Sequence, residues 1–198
     1  MSLDNFLKQH NYISNIEGNS GNIIQQTNRL KELVSDVRIN SILEIGFNAG
    51  HSSDTFLSSS LANVTSFDLG AREYVLQSKY YIDKKYPTRH TLVIGDSKHT
   101  IPAYTNQHPE KKFDVIFIDG DHTHEGSMYD ILHCRTLSHK DTLVIMDDIV
   151  VEEANSEEWT TGPTLTWSEA VSTGIIEHHG GDFYGKGRGM CWGRYLLS

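Results

Sequence analysis

Four aspartates, Asp119, Asp121, Asp147 and Asp148, and two histidines, His122 and His124, follow two short apolar runs, Phe113 to Ile118 and Thr142 to Met146. Carboxylates gathered in one place repel one another and raise each other's pKa unless a cation neutralises them. A hard, oxygen-liganded ion such as Mg²⁺ resolves the conflict and keeps positions open for water or substrate. Zinc or iron with His122 or His124 is the alternative on ligand type. The plainer reading is a set of turn aspartates facing solvent.

A second candidate lies upstream, in Ile42-Leu43-Glu44-Ile45-Gly46-Phe47-Asn48-Ala49-Gly50-His51-Ser52-Ser53. It reads as a buried strand, a small-residue turn and a helix. Gly46 and Gly50 let the backbone approach a ligand, and the helix start offers free N–H groups. The G-x-x-x-G spacing is not that of a dinucleotide site or a phosphate loop, so it suits a nucleotide-like ligand without a pyrophosphate. About twenty positions on, Asp68 ends the run Val64 to Phe67, where a carboxylate can accept hydrogen bonds from both ribose hydroxyls of an adenosine. A helix cap or turn is the alternative there. Gly95-Asp96-Ser97 follows the run Thr91 to Ile94 and offers hydrogen bonds to an adenine amino group, with Asp96 equally suited to cap the next helix.

These groups need a scaffold that brings them to one edge. From Ile42 onward, apolar runs alternate with longer polar segments, the pattern of βα units in a parallel sheet. Five strands are expected over Ser41 to Ile45, Val64 to Phe67, Thr91 to Ile94, Phe113 to Ile118 and Thr142 to Met146. Helices are expected over Ile23 to Val37, with Ile24, Leu30, Leu33 and Val34 on one stripe, over Arg72 to Lys85 and over Glu125 to Leu137. Beyond Met146 the reading is an acidic loop over Val150 to Pro163, a helix around Thr166 to Ser172, then two strands joined by a glycine-rich turn near Gly180 to Gly189. Trp159, Trp167, Tyr184 and Trp192 fall in this part, where they pack the last elements or cover an acceptor. His178 and His179 alternate along a strand and are read as structural.

The 198 residues suit one domain. It divides into an N-terminal helical segment (1–40), a core (41–149) and a C-terminal substrate-side region (150–198). A net charge of −9 argues against nucleic acid as partner. No apolar run approaches membrane-spanning length, and the first residues do not read as a signal peptide. A cytoplasmic protein acting on a small molecule is expected, with a homodimer left open. Cys134 and Cys191 form no CxxC pair and are expected as small buried hydrophobes.

The glycine turn, the acid after the second strand, Gly-Asp-Ser after the third and Phe-Ile-Asp-Gly-Asp-His after the fourth together resemble the class I S-adenosylmethionine-dependent methyltransferases. With Asp-Asp after the fifth strand, the chain is most similar to the group containing macrocin O-methyltransferase and cephalosporin hydroxylase-like proteins. Catechol and caffeoyl-CoA O-methyltransferases are a more distant likeness. The resemblance spans Ile23 to Ile149. It implies a Rossmann-like α/β fold, a seven-stranded, mainly parallel sheet with helices on both faces and a C-terminal antiparallel hairpin. It implies S-adenosylmethionine and a divalent metal, Mg²⁺, as cofactors. Glu44, Gly46, Asn48, Gly50 and Ser52 would meet the methionine and ribose portions of the cofactor and Asp68 the ribose hydroxyls. Gly95, Asp96 and Ser97 would flank the adenine, and Asp119 would also face the cofactor. Asp119, Asp147 and Asp148 would bind the metal, although the catechol-type enzymes carry Asp-Asn where this chain has Asp147-Asp148. Those enzymes carry a lysine where this chain has His122, so His122 is the expected proton acceptor, ahead of His124. The implied reaction is metal-assisted O-methylation of a small-molecule hydroxyl. The alternatives are a metal-dependent hydroxylase-like enzyme on the same scaffold or a non-catalytic cofactor-binding module.

Overall fold

The computed structural model describes residues 1–12, 14, 16 and 23–197; the rest of the N-terminal segment expected to be helical lies outside them. Five parallel strands form where the apolar runs predict: β1 (Ser41–Ile45), β2 (Asn63–Asp68), β3 (His90–Ile94), β4 (Phe113–Ile118) and β5 (Ser138–Asp147). The hairpin β6 (Ile176–Gly185) and β7 (Arg188–Tyr195) completes one sheet in the order β3-β2-β1-β4-β5-β7-β6, with β7 antiparallel to both neighbours. The expected seven-stranded, mainly parallel sheet with its antiparallel hairpin is what forms.

Side chains alternate across a strand, so each strand divides its apolar residues between two cores. Ile42, Val115, Phe117 and Ile145 pack with Leu30, Val34, Phe56 and Ile82 on one face. Leu43, Ile116, Val144 and Met146 pack with Ile101, Ile131 and Trp167 on the other. The first face is covered by α1 (Leu3–Gln9), α2 (Ile24–Val34), α3 (His51–Ser59) and α4 (Glu73–Lys85), the second by α5 (Ser97–Gln107), α6 (His124–Cys134) and α7 (Glu158–Ser172). Cys134 and Cys191 are buried and free, and no helix among the described residues is long and apolar enough to cross a membrane.

Two local expectations change. The buried stripe of α2 is Gln26, Leu30 and Val34, while Ile24 is 71% exposed. A polar residue takes a core position there, for a reason found at the site. The helix expected around Thr166 begins at Glu158 and runs through Pro163. Glu157 and Thr160 cap its start reciprocally, so the chain is already helical when the proline arrives. Gly162 then lets α7 lie against the loop before α6, where a Cβ would stand 2.2 Å from the His122 carbonyl oxygen.

Candidate active site

Strand order reverses between β1 and β4, and open α/β sheets bind ligands in the crevice at the carboxyl ends of such strands. A cleft of about 960 Å³ lies there, walled by the loops after β1 to β5 together with Trp159 and Arg188. Asn48, Ser52, Asp68, Asp96, Ser97, Asp119, His122, Asp147 and Asp148 all line it, as do Gly46 and Gly95.

At one end, Asp68 is fixed by two backbone donors: Asn48 N–H to Oδ2 at 2.8 Å and Gly70 N–H to Oδ1 at 2.7 Å. A carboxylate has roughly four acceptor positions, so two remain for a diol. Gly46 makes this geometry reachable. It has φ +92°, donates to the Phe67 carbonyl at 2.8 Å, and passes the end of β4 so closely that a Cβ would stand 1.9 Å from the Asp119 carbonyl oxygen. Gly50, also at positive φ, ends the turn as the residue before α3. Asp96 is exposed and caps α5 through the Lys98 N–H at 2.9 Å, so its helix-capping role is present.

Glu44, expected beside the cofactor, does not line the cleft. It is wholly buried behind the cleft wall, because it shares with Ile42 the face covered by α3. Its carboxylate accepts hydrogen bonds from Ser52, Ser53 and Ser66, and Ser66 Oγ also lies 2.9 Å from His90 Nε2. Burial pushes Glu44 up to about 7 and, with Lys79 adding to it, pushes His90 down to about 4.

At the other end, Asp119, His122 and Asp148 offer ligand atoms within 4.8 Å of one another. His122 Nε2 lies 3.2 Å from Asp148 Oδ2 and 3.7 Å from Asp119 Oδ1. Burial raises the pKa of both aspartates, and their mutual repulsion raises that of Asp148 further. Asp119 in turn raises that of His122 against the effect of burial. Asp147, expected in this group, is turned away from it. Two residues after Ile145, it points to the face covered by α2, where Gln26 Nε2 donates to its two oxygens at 2.7 and 2.6 Å. That contact is why a glutamine occupies the buried stripe of α2. Asp148 is aimed back into the cleft by a left-handed backbone at φ +58°.

Of the other expected groups, His124 pairs with Glu169 of α7 at 2.9 Å and is not on the cleft wall. Trp159 lines the cleft, whereas Trp167 is buried and donates to His178 Nδ1 at 3.1 Å. Sequence reasoning missed His51, which lines the cleft and meets Asp4 at 2.9 Å; Arg188 also lines the cleft.

A family profile described as a methyltransferase domain matches residues 43–149, more than half of the chain. The chain belongs to the methyltransferase-domain family. Among curated proteins, none matches this methyltransferase in sequence. Solved structures share its fold. An O-methyltransferase from Bacillus cereus in complex with S-adenosylhomocysteine has TM-score 0.77 at 20% identity, over 98% of this chain and 91% of that one. TomG from Streptomyces achromogenes, an O-methyltransferase involved in tomaymycin synthesis and bound to S-adenosylmethionine, has TM-score 0.74 at 13% identity, over 98% and 87%. The S-adenosylhomocysteine-bound methyltransferase PaMTH1 from Podospora anserina has TM-score 0.72 at 14% identity, over 98% and 86%. Class I methyltransferase architecture thus extends across nearly the whole of this methyltransferase.

Proposed function

We propose that this methyltransferase transfers the methyl group of S-adenosylmethionine to the oxygen of a small-molecule hydroxyl, with a divalent cation at the acceptor end of the cleft. The observation that carries the reading is the pairing, in one cleft, of a diol-accepting carboxylate at Asp68 with two carboxylates, Asp119 and Asp148, that have no lysine or arginine within hydrogen-bonding reach among the described residues. Asp148 is the more telling of the two. Its side chain is 7% exposed and its Oδ1 has no hydrogen-bond partner; Arg188 Nη1 stops 4.0 Å away. A buried, unsatisfied carboxylate oxygen is costly unless something cationic meets it.

When bound, S-adenosylmethionine supplies an electrophilic methyl group. A divalent cation held by Asp119 and Asp148 would lower the pKa of the acceptor hydroxyl and stabilise its developing negative charge. The chain's own part is mostly positioning. Asp68 fixes the nucleoside end, and the turn at Gly46 brings the cofactor loop against Asp119. Trp159 lines the cleft together with these groups. Relatives such as the Bacillus cereus and Streptomyces achromogenes enzymes are described as O-methyltransferases, in keeping with an oxygen acceptor.

Calorimetric titration with S-adenosylhomocysteine tests the cofactor half. The wild type should bind, and Asp68→Ala should weaken binding roughly 10- to 100-fold, the cost of about one to two charge-assisted hydrogen bonds. Absence of binding by the wild type overturns the proposal. Methyl transfer from labelled cofactor to hydroxyl-bearing acceptors tests the other half, and it should fall when divalent cations are chelated.

A further inference from the structure

We infer that Asp130 of α6 is a positioning residue that fixes the direction in which the Ser97 hydroxyl points, so that the base end of the cleft takes a 6-amino purine and rejects a 6-oxo purine. This rests on the cofactor half of the function proposed above and adds how that half tells one nucleoside from another.

Asp130 stands where a hydrophobic residue is expected. The buried face of α6 is Gly126, Ser127, Asp130, Ile131 and Cys134, and neither oxygen of the wholly buried Asp130 has a formed hydrogen bond. A carboxylate so placed is costly unless a donor meets it. It lies directly behind the cleft wall: a Cβ on Gly120, a wall residue, would stand 3.0 Å from Asp130 Oδ2. Burial, with Asp121 and Asp96 adding to it, holds Asp130 at about 6 against the pull of the Ser97 hydroxyl and of the Lys98 charge. Ser97 is thus the hydrogen-bond donor within its reach.

Ser97 itself is half-buried on the cleft wall, and the sheet puts it there. Asp68 and Ile94 are partners across β2 and β3, and the Gly95 N–H donates to the Asp68 carbonyl at 2.8 Å. A nucleoside whose ribose sits on the Asp68 carboxylate therefore lays its base toward the start of α5, where Ser97 is the first residue. A hydroxyl can donate or accept. One that gives its proton inward to a carboxylate keeps only lone pairs for the cleft. Those accept from an exocyclic amino group and repel a carbonyl oxygen. An ionised acid behind the wall has no proton to give, so it holds the hydroxyl in that sense, whereas a second hydroxyl there could turn.

Calorimetric titration with S-adenosylhomocysteine and with its 6-oxo counterpart, S-inosylhomocysteine, reads the selection without turnover; pH 8 keeps Asp130 ionised. The wild type should favour the amino form by roughly 10-fold or more, the worth of about one hydrogen bond with an ionised partner behind it. In Asp130→Asn, whose amide can donate to Ser97 and turn it round, the preference should shrink to about twofold or less. Ser97→Ala should lose it as well, and adding Asp130→Asn to Ser97→Ala should change neither affinity further. Asp130→Leu, which fills the site without a polar atom, gives the same reading should the amide variant fold poorly. Equal weakening of both ligands with the preference intact, or a wild type that binds the two alike, overturns the selection and leaves the cofactor reading standing. A wild type that binds neither overturns both.

Discussion

Gly46→Ala should destabilise the protein by about 3 kcal/mol or more and abolish measurable S-adenosylhomocysteine binding in whatever fraction still folds. Two penalties add. The residue sits at φ +92°, where an L side chain is strained by roughly 1–3 kcal/mol. Its new Cβ would also stand 1.9 Å from the Asp119 carbonyl oxygen, a backbone atom of β4's end that cannot swing aside. Relief requires β1 and β4 to separate where Asp119 N–H donates to the Ile45 carbonyl at 2.9 Å. The same movement displaces the Asn48 N–H that holds Asp68. Thermal denaturation, with and without S-adenosylhomocysteine, checks it. At about 2–4 °C per kcal/mol for a domain of this size, the melting temperature should fall by roughly 6–12 °C, and the ligand should restore none of it. A variant that melts within a degree of the wild type and still responds to ligand would contradict the close approach of the two strand ends.

Glu44→Gln should alter the pH dependence of stability on a similar scale. The folded pKa of about 7 stands above the ordinary 4.5 because burial penalises the charged form. Between those values the folded state holds a proton that the unfolded chain has released, so Glu44 makes stability fall as pH rises through this window. The difference corresponds to roughly 3 kcal/mol at 1.36 kcal/mol per unit. His90 works the other way. Its folded pKa of about 4, against 6.5, means that the unfolded chain binds the extra proton, so stability rises with pH from 4 to 6.5. The two slopes oppose one another in the wild type, and removing Glu44 exposes that of His90. Urea denaturation at pH 5 and pH 8 measures it. The stability of Glu44→Gln relative to the wild type should increase between the two by up to about 3 kcal/mol; a constant difference would show that Glu44 is ionised throughout.

The strands and the cofactor turn were legible because a parallel sheet covered on both faces demands uninterrupted apolar runs, and because function gathers at their carboxyl ends. Asp68 and Asp119 could therefore be placed at the cleft from what precedes them. The split between Asp147 and Asp148 was harder to read. Alternation alone says that neighbours face opposite sides, which does separate them, but the left-handed turn that returns Asp148 to the cleft has no glycine or asparagine to signal it. Gln26 left a faint trace, a polar residue at the same spacing of four as Leu30 and Val34. Its partner stands 121 positions away, beyond any local pattern. The burial of Glu44 was not drawn from the family likeness, which places it beside the cofactor, but strand parity places it under α3. The early start of α7 was hidden by Pro163, which ordinarily argues against a helix interior.

The antiparallel insertion of β7 also orders events in time. Ile149 N–H donates to the Gly189 carbonyl at 2.9 Å, and Arg29 of α2 reaches Asp182 at 2.6 Å. Ile149 thus finds this partner only after the last strands exist. A ribosome that has released residues through Asp148 has already delivered every aspartate of the cleft, yet the wall contributed by Arg188 is still unsynthesised. The nascent chain carries its chemistry before it carries the brace that shapes it. The acceptor end therefore gains its last wall only when the C-terminal hairpin has docked on β5.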